Sequence, residues 1–296
     1  MYLFSNFSKD KVFLDEPLSK HSSFKIGGPA DILIIPDTKE ELLECVEICT
    51  KNKTPFFILG RGSNILFTDK GVRGVVIKTT NLKEISKTDD NLIYAQAGVN
   101  LSALANFLLK ENLAGFEFAS GIPGNLGGAI YMNAGAYGEE LKDVIHSVEV
   151  IRNNKQEILT NQQMLFDYRH SIAQEEDIVI LGAYLSFVDG DPEAIKQKSL
   201  SLNKKRIQSQ PLDMPNAGST FRRPENNFAG KLVEDIGLKG YAIGGAQVSE
   251  KHAGFIVNTG DATAQDVMDL VEYIKKEVYA QTNVRLVEEL KIIGER

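Results

Sequence analysis

Residues 121–138 read GIPGNLGGAIYMNAGAYG. Six of these eighteen positions are glycine, in a chain with 25 glycines among 296 residues. A glycine inside a helix costs up to about 1 kcal/mol against alanine, so this load predicts neither an ordinary helix nor an ordinary strand. The glycines mark places where the backbone takes positive φ or where another group comes very close. Gly127-Gly128 and the pair Gly121 and Gly124 leave amides uncovered by side chains, which suits a phosphate or a flat ring. A tight turn flanking a buried strand accounts for the same composition, and the stretch by itself does not choose between the two.

Working outward, 43% hydrophobic and 25% charged residues describe an ordinary soluble globular chain with room for two or three subdomains. A net charge of -7 disfavours non-specific contact with nucleic acid or an anionic membrane, so a phosphate-bearing ligand needs local donors. The first residues, MYLFSNFSKDKVFLDEP, show no basic region followed by an apolar run, and no stretch approaches a membrane span. Cys45 and Cys49 lie one helical turn apart in an amphipathic pattern and read as reduced core residues, which makes the cytoplasm the expected address. The histidines (His21, His146, His170 and His252) have no metal-ligand spacing, and no metal is expected.

Upstream, residues 19–36 predict a Gly-Gly turn and an apolar strand ended by Pro36. Thr38 and Glu41 have capping-box spacing for a helix striped by Leu42, Cys45, Val46 and Cys49, and PFFILG at 55–60 is a short buried strand. This β-α-β unit invites a dinucleotide-binding reading, which fails because the first strand runs into PDTKE without glycine. The glycine loop GRGSN, 60–64, instead joins two strands, where anions are held by amides and by side chains such as Ser63 and Asn64. A lone GxG is weak evidence, and a hairpin turn is the more common explanation of it. Further strands are expected at 91–97, 144–151 and 177–188, with a helix after Asn100; His146 reads as structural.

Asp191-Pro192 starts a helix running to about Gln208, and the main domain boundary is placed at 189–192. A polar loop with two adjacent arginines, PLDMPNAGSTFRRPE, follows at 211–225. Then come a short helix, FAGKLVEDIGL, a loop-strand segment, GGAQVSEKHAGFIVNTG, and a long helix capped by Thr263. The chain is expected to end on a strand, NVRLVEELKIIG.

With GRGSN, the 121–138 stretch, DYRHS, NAGSTFRRP, GGAQVSEKHAGFIVN and EELKIIG in that order, the chain resembles the UDP-N-acetylenolpyruvoylglucosamine reductase family from about residue 18 to 294. The resemblance implies an α+β architecture: an FAD-binding fold of the vanillyl-alcohol-oxidase/PCMH type in two α+β subdomains, then a C-terminal α+β substrate-binding domain. The corresponding boundaries are 1–189 (subdomains about 1–53 and 54–189) and 190–296. Gly60, Arg61, Gly62, Ser63 and Asn64 match the loop around the FAD pyrophosphate. Gly121, Ile122, Pro123, Gly124, Gly127, Gly128, Ala129 and the Asn133 region match the segment along the cofactor. No histidine stands in the GRGSN loop, so the FAD is expected to be non-covalent.

The implied reaction has two halves that use one cleft. NADPH reduces the flavin, and the enolpyruvyl sugar nucleotide then takes a hydride at its terminal carbon and a proton beside its carboxylate. Peptidoglycan precursor synthesis is the implied setting, and a monomer is the implied state. An enolate-like carboxylate needs donors aimed at its oxygens. Arg169 of DYRHS matches the family's catalytic arginine, whose fork suits a carboxylate. Glu289 of EELKIIG matches the catalytic glutamate, expected to be protonated when it acts. Ser219 of NAGSTF matches the proton donor. Without the resemblance these three would read as surface charges and a turn serine.

Three departures stand out. LVEE replaces the commoner LEPE, so Glu288 is the alternative to Glu289. Arg223 stands where many members have Asn. The short run after Arg169 leaves little room for the tyrosine-bearing insertion of longer members, which indicates the compact class. Arg206, Arg222 and Gln247 are the expected contacts to substrate or to NADPH phosphate. An FAD-dependent small-molecule oxidase on the same fold is the competing enzyme class. A non-catalytic nucleotide-binding protein would need none of the three matched residues.

Overall fold

The computed structural model describes residues 3–89 and 91–295. In chain order it contains β1 (Val12–Pro17), β2 (Pro29–Ile34), α1 (Lys39–Lys51), β3 (Phe56–Leu59), β4 (Ile65–Phe67), β5 (Val72–Lys78), β6 (Ile85–Asp89), β7 (Leu92–Gln96) and α2 (Leu101–Lys110). Next come β8 (Leu113–Ala114), α3 (Leu126–Tyr131), β9 (Gly135–Ala136), β10 (Glu139–Glu140), β11 (Ile145–Arg152), β12 (Lys155–Thr160), β13 (Ile178–Ser186), β14 (Val188–Asp189) and α4 (Pro192–Ser209). The chain closes with α5 (Ala229–Asp235), β15 (Ala242–Ile243), β16 (Ala246–Val248), β17 (Ile256–Asn258), α6 (Ala264–Thr282) and β18 (Lys291–Ile293).

The chain divides into two compact units. The first holds the residues up to Phe13, Leu33–Arg61 and Val75–Arg206; the second holds Leu14–Ile32, Gly62–Gly74 and the residues from Ile207. In the first unit β3 pairs parallel with β5, from Phe56 opposite Val75 to Leu59 opposite Lys78. A five-stranded antiparallel sheet, order β12-β11-β13-β7-β6, forms the larger part. Its buried residues Ile93, Val148, Val150 and Leu185 join the α2 stripe Leu101, Leu104 and Leu108 in one apolar cluster. Alternate residues of the strands and the period-3.6 stripe of the helix meet there, so one face of the sheet packs on one face of the helix.

The second unit has its own core. The α6 stripe Val267, Leu270, Val271, Ile274 and Val278 packs with Phe24, Leu66, Phe221, Val248 and Leu286. Thr263 and Asp266 form a full capping box at the start of α6, and Asp69 accepts the Ala264 and Gln265 amides at 2.9 and 3.1 Å. The first turn thus has partners for donors that helix geometry leaves open. Strands β15, β16 and β17 make an antiparallel ribbon, and β18 lies parallel to β4.

The helices expected at Thr38, Asn100, Asp191 and Thr263 all form. Two expectations need correction. The glycine stretch does carry a helix, α3, of six residues including Gly127 and Gly128. Close approach explains the cost accepted there: a Cβ on Gly127 would stand 2.9 Å from that of Ala97. The terminal strand is also much shorter than its hydrophobic alternation predicts, with only Lys291–Ile293 pairing as β18. Ahead of it, Glu288 makes an isolated bridge to Phe221, so this backbone is tied by single contacts and no continuous ladder.

One buried charge in the first unit is fully enclosed by donors. Glu149, 7% exposed, accepts hydrogen bonds from Tyr94 Oη at 2.6 Å, Lys39 Nζ at 2.9 Å and Gln156 Nε2 at 2.5 Å. Burial pushes its carboxyl up, but the Tyr94 and Lys39 contacts outweigh that and hold it below the ordinary 4.5. A depressed folded-state value means the stabilisation is present above the unfolded value and is lost as pH falls through the folded one. Glu149→Gln is expected to cost roughly 2–3 kcal/mol at neutral pH and to flatten the acid decline of Tm. Thermal melts of both proteins across the acid range check this; equal acid slopes would remove Glu149 as a source of the decline.

Candidate active site

In the first unit, Gly60 closes β3 and Arg61 after it is exposed. A Cβ on Gly60 would face only Asn125, at 3.5 Å from Oδ1. Asn125 is buried, and its Nδ2 donates to the Gly98 carbonyl at 2.6 Å and to Asn100 Oδ1 at 3.1 Å. Its Oδ1 is buried, with no hydrogen-bond partner among the described residues. A buried acceptor left open costs about 1–3 kcal/mol, so this one asks for a donor. Three residues on, the α-carbon of Gly128 faces open space, with no atom of the described residues within 4 Å of a Cβ placed there. An orphan acceptor beside glycines open to close approach fits a ligand rich in hydroxyl and amino donors, as FAD is.

The expected cofactor residues do not all do the same work. Gly121 lacks a side chain because α4 fills its space: a Cβ there would come within 2.1 Å of Asn203 Oδ1 and 3.2 Å of Arg206 Nε. Gly127 is tied to the sheet through its amide, 2.8 Å from the Ala97 carbonyl. Ile122 and Pro123 lie on the loop before α3, Gly124 accepts the Leu101 amide at 3.2 Å, and Ala129 is buried within α3. Asn133 is fully buried, with φ at +40°. Its Nδ2 donates to Glu140 Oε2 at 3.1 Å and to the Asp167 carbonyl at 2.9 Å, while its Oδ1 accepts the Lys142 amide at 3.0 Å.

Through Asn133 the glycine stretch holds the turn that presents Arg169. Asp167 and His170 exchange backbone hydrogen bonds at 3.2 and 3.0 Å, closing a two-residue turn. Arg169 sits in it with φ at +55°, a conformation uncommon for residues other than glycine and kept by the surrounding contacts. Gln174 Nε2 holds its carbonyl at 2.9 Å, and Arg169 Nη2 donates to the Gly135 carbonyl at 3.2 Å. Arg206, on α4, is 8% exposed and lies 5.7 Å over the Tyr137 ring. Burial draws its pKa below the usual arginine value.

In the second unit, Gly62 takes φ of +69°, and a Cβ would strike the His21 carbonyl at 2.4 Å. Ser23 donates through its amide and its Oγ to the Gly62 carbonyl, at 3.1 and 3.3 Å. Its hydroxyl also lies 2.6 Å from the Asn216 carbonyl, in the loop that leads to Ser219. Ser23 thus links the glycine loop to the serine loop. The Ser63 carbonyl is the nearest atom, at 3.8 Å, to a Cβ placed on Gly218.

Ser219 is exposed, and its neighbour Thr220 is pinned from three directions. The Thr220 amide donates to the Gly254 carbonyl at 2.9 Å, its carbonyl accepts the Glu289 amide at 2.9 Å, and its Oγ1 accepts the Ile256 amide at 3.3 Å. Asn64 Nδ2 donates to the Glu289 carbonyl at 3.2 Å, and the Asn64 carbonyl accepts the Lys291 amide at 3.1 Å. Glu288 is engaged elsewhere, 2.7 Å from Lys275 Nζ on α6.

The second unit therefore brings Ser63, Asn64, Ser219 and Glu289 onto adjoining segments. Arg222 is held there too, its amide 2.8 Å from the Val287 carbonyl, with Nε buried and unpartnered. Burial and the Arg222 charge both draw Lys291 below the ordinary lysine value. Gln247, on β16, is committed to the Gly240 carbonyl at 3.1 Å. Arg223 is exposed, 4.1 Å over the Phe228 ring.

Three residues absent from the sequence-based set stand in these arrangements. Asn125 was flanked by the glycines that drew attention and needed only its own polar chemistry considered. Lys291 lies two residues beyond Glu289, the spacing that puts neighbours on one side of an extended segment. Ser23 gave no local signal, because its partners are distant in sequence.

The model described as "FAD binding domain" matches residues 30–160, and that described as "UDP-N-acetylenolpyruvoylglucosamine reductase, C-terminal domain" matches 210–293. UDP-N-acetylenolpyruvoylglucosamine reductase of Caldanaerobacter subterraneus subsp. tengcongensis is 54% identical over 287 residues, 97% of this chain and 95% of that protein. The protein of the same name from Alkaliphilus oremlandii is 48% identical over 97% of this chain and 95% of its own length. The crystal structure of UDP-N-acetylenolpyruvylglucosamine reductase from Thermus caldophilus superposes with a TM-score of 0.81 at 30% identity, over 95% of this chain and 98% of that one. With near-full coverage in both directions, and with the FAD-binding fold expected from its motifs, this chain belongs to the UDP-N-acetylenolpyruvoylglucosamine reductase family.

Proposed function

We infer that this chain is an FAD-dependent oxidoreductase that uses NADPH to reduce the enolpyruvyl group of UDP-N-acetylglucosamine enolpyruvate to the lactyl ether of UDP-N-acetylmuramate. The observation that carries the reading is the 54% identity to a reductase of that name across 97% of the chain. It places the protein in peptidoglycan precursor synthesis. The buried, unpaired Cys45 and Cys49 support a reducing, cytoplasmic setting, and a monomer is proposed with it. The matched ranges 30–160 and 210–293 support an FAD-binding part up to residue 189 and a substrate-binding part from 190. The reductase names also disfavour an oxidase on the same fold.

FAD held in its binding part would supply the hydride chemistry, relaying a hydride from NADPH to the terminal carbon of the enol ether. Asn125 Oδ1 would accept a hydrogen bond from a cofactor hydroxyl or amine; the Gly60–Asn64 and Gly121–Ala129 segments are the proposed cofactor contacts, with close approach at Gly60 and Gly128. Arg169 pairs with the carboxylate whose charge grows as the hydride arrives, and the Gly135 carbonyl holds its guanidinium before the substrate comes. Ser219 gives its hydroxyl proton to the carbon next to the carboxylate. A hydroxyl serves as general acid here because the receiving carbon is a strong base. Glu289, protonated when it acts, donates a hydrogen bond to the developing enolate. The Lys275 pair on Glu288 supports Glu289 in that role over its neighbour. Arg206, Arg222 and Gln247 remain the proposed contacts for the phosphates and sugar nucleotide.

An anaerobic flavin absorbance titration tests the reading. NADPH is expected to bleach the flavin, and the enolpyruvyl sugar nucleotide to restore it without oxygen. Bleaching that only air reverses would leave a flavoprotein oxidase instead.

Ser219→Ala is expected to leave bleaching by NADPH intact and to slow reoxidation by substrate about 10²–10⁴-fold. Equal loss in both halves would remove Ser219 as proton donor. Glu289→Gln is expected to slow reoxidation roughly 100-fold, while Glu288→Gln, which loosens an ion pair with two partly exposed ends, stays near the wild-type rate. Stopped-flow traces of the two variants decide the register; the reverse order would move the role to Glu288.

A further inference from the structure

The loop between β16 and β17 carries a histidine that the reaction so far leaves without work. The ring of His252 fits against two glycines: a Cβ on Gly230 or on Gly254 would stand 2.9 or 3.0 Å from its Cε1. Phe255 meets it edge-on with ring centres 4.9 Å apart. The loop is knit together, with the Ser249 amide on the Phe255 carbonyl at 2.9 Å and Ser249 Oγ accepting the Lys251 and His252 amides at 3.2 and 3.3 Å. This is a histidine held in one rotamer and one place.

Its Nδ1 lies 3.1 Å from the Gly254 amide nitrogen, which can only donate. Nδ1 is therefore the acceptor, and the ring carries its single proton on Nε2. Burial draws the pKa of His252 below 6.5, which keeps this tautomer neutral at physiological pH. Gly254, anchored at its amide by the ring, turns its carbonyl to the Thr220 amide, 2.9 Å away, and the Thr220 carbonyl in turn holds the Glu289 amide at 2.9 Å. Ser219 is bonded directly to Thr220. A path of three hydrogen bonds thus joins an imidazole nitrogen to the backbone of both the proton donor and the glutamate.

We propose that His252 is a positioning residue of the reductive step: by anchoring Gly254 at its amide it steadies the carbonyl that holds Thr220, and with it Ser219 and Glu289. The inference rests on the reductase reading above. The chain itself supplies a comparison for the bond, since Asn216 Oδ1 accepts the Gly218 amide at 2.9 Å and Asn258 Oδ1 accepts the Gly260 amide at 2.8 Å. An asparagine at 252 therefore reproduces the acceptor two residues before its donor. A phenylalanine keeps the ring and removes the acceptor.

The test follows both half-reactions of the FAD-loaded protein anaerobically in wild type, His252→Phe and His252→Asn. His252→Phe is expected to slow reoxidation by the enolpyruvyl sugar nucleotide roughly 10- to 100-fold, with bleaching by NADPH within about two-fold of wild type. His252→Asn is expected to recover most of that loss. If the Phe variant does not fold, His252→Leu, which also lacks an acceptor, replaces it. Reoxidation at the wild-type rate in the variant lacking the acceptor would overturn the proposal, and so would equal losses in that variant and in His252→Asn. Failure of the wild type itself to recover colour with substrate would be a different result, removing the reductase reading and this inference with it.

Discussion

The second unit depends on one backbone, that of Thr220. Its amide, its carbonyl and its hydroxyl each meet a different segment of the chain: the loop before β17, the approach to β18, and β17 itself. Such a residue has few conformations left, and its neighbours inherit the restriction. Ser219 is exposed and free to meet a substrate, yet the peptide that carries it is not free to move. Preorganisation of this kind matters because misplacement on the scale of 1 Å can cost about 100-fold in rate. The approach to β18 makes almost no ladder of its own, so its order comes from contacts such as these and from Asn64.

The first unit solves a different problem with glycine. Gly121 and Gly127 make room for protein atoms, those of α4 and of Ala97 respectively, whereas Gly128 makes room for none. Six glycines in one segment thus have at least two physical purposes, and only their tertiary contacts separate them. Arg169 shows the reverse economy. A bulky side chain occupies a backbone conformation that glycine would take easily, and the buried Asn133 helps to hold it there.

Much of this was legible in the sequence. The stripe Leu42, Cys45, Val46 and Cys49 and the signals at Thr38, Asp191 and Thr263 act within one or two turns, and each gives the element it predicts. The failures share a cause. A helix through Gly127-Gly128 contradicts local propensity, and tertiary contact with Ala97 overrides it. The alternation of NVRLVEELKIIG promised a strand, but a strand needs a partner of matching length, and only three residues find one in β4. At the site, motif order singled out Arg169, Ser219 and Glu289. Motif order gave no role to Asn125, Ser23 or His252, because the importance of each lies in which backbone group it meets, and that has no local signature.

The chain passes between its two units five times, at residues 13/14, 32/33, 61/62, 74/75 and 206/207. In the second unit Asn258 Nδ2 binds the Phe24 carbonyl across 234 residues of sequence. At a synthesis rate of roughly 5–20 residues per second, that bond waits about 10–50 s after Phe24 is made. The nascent N-terminal segment, with apolar Phe24 and Ile26, must be kept from other partners for that time, and neither unit can be obtained whole from one uninterrupted piece of the gene.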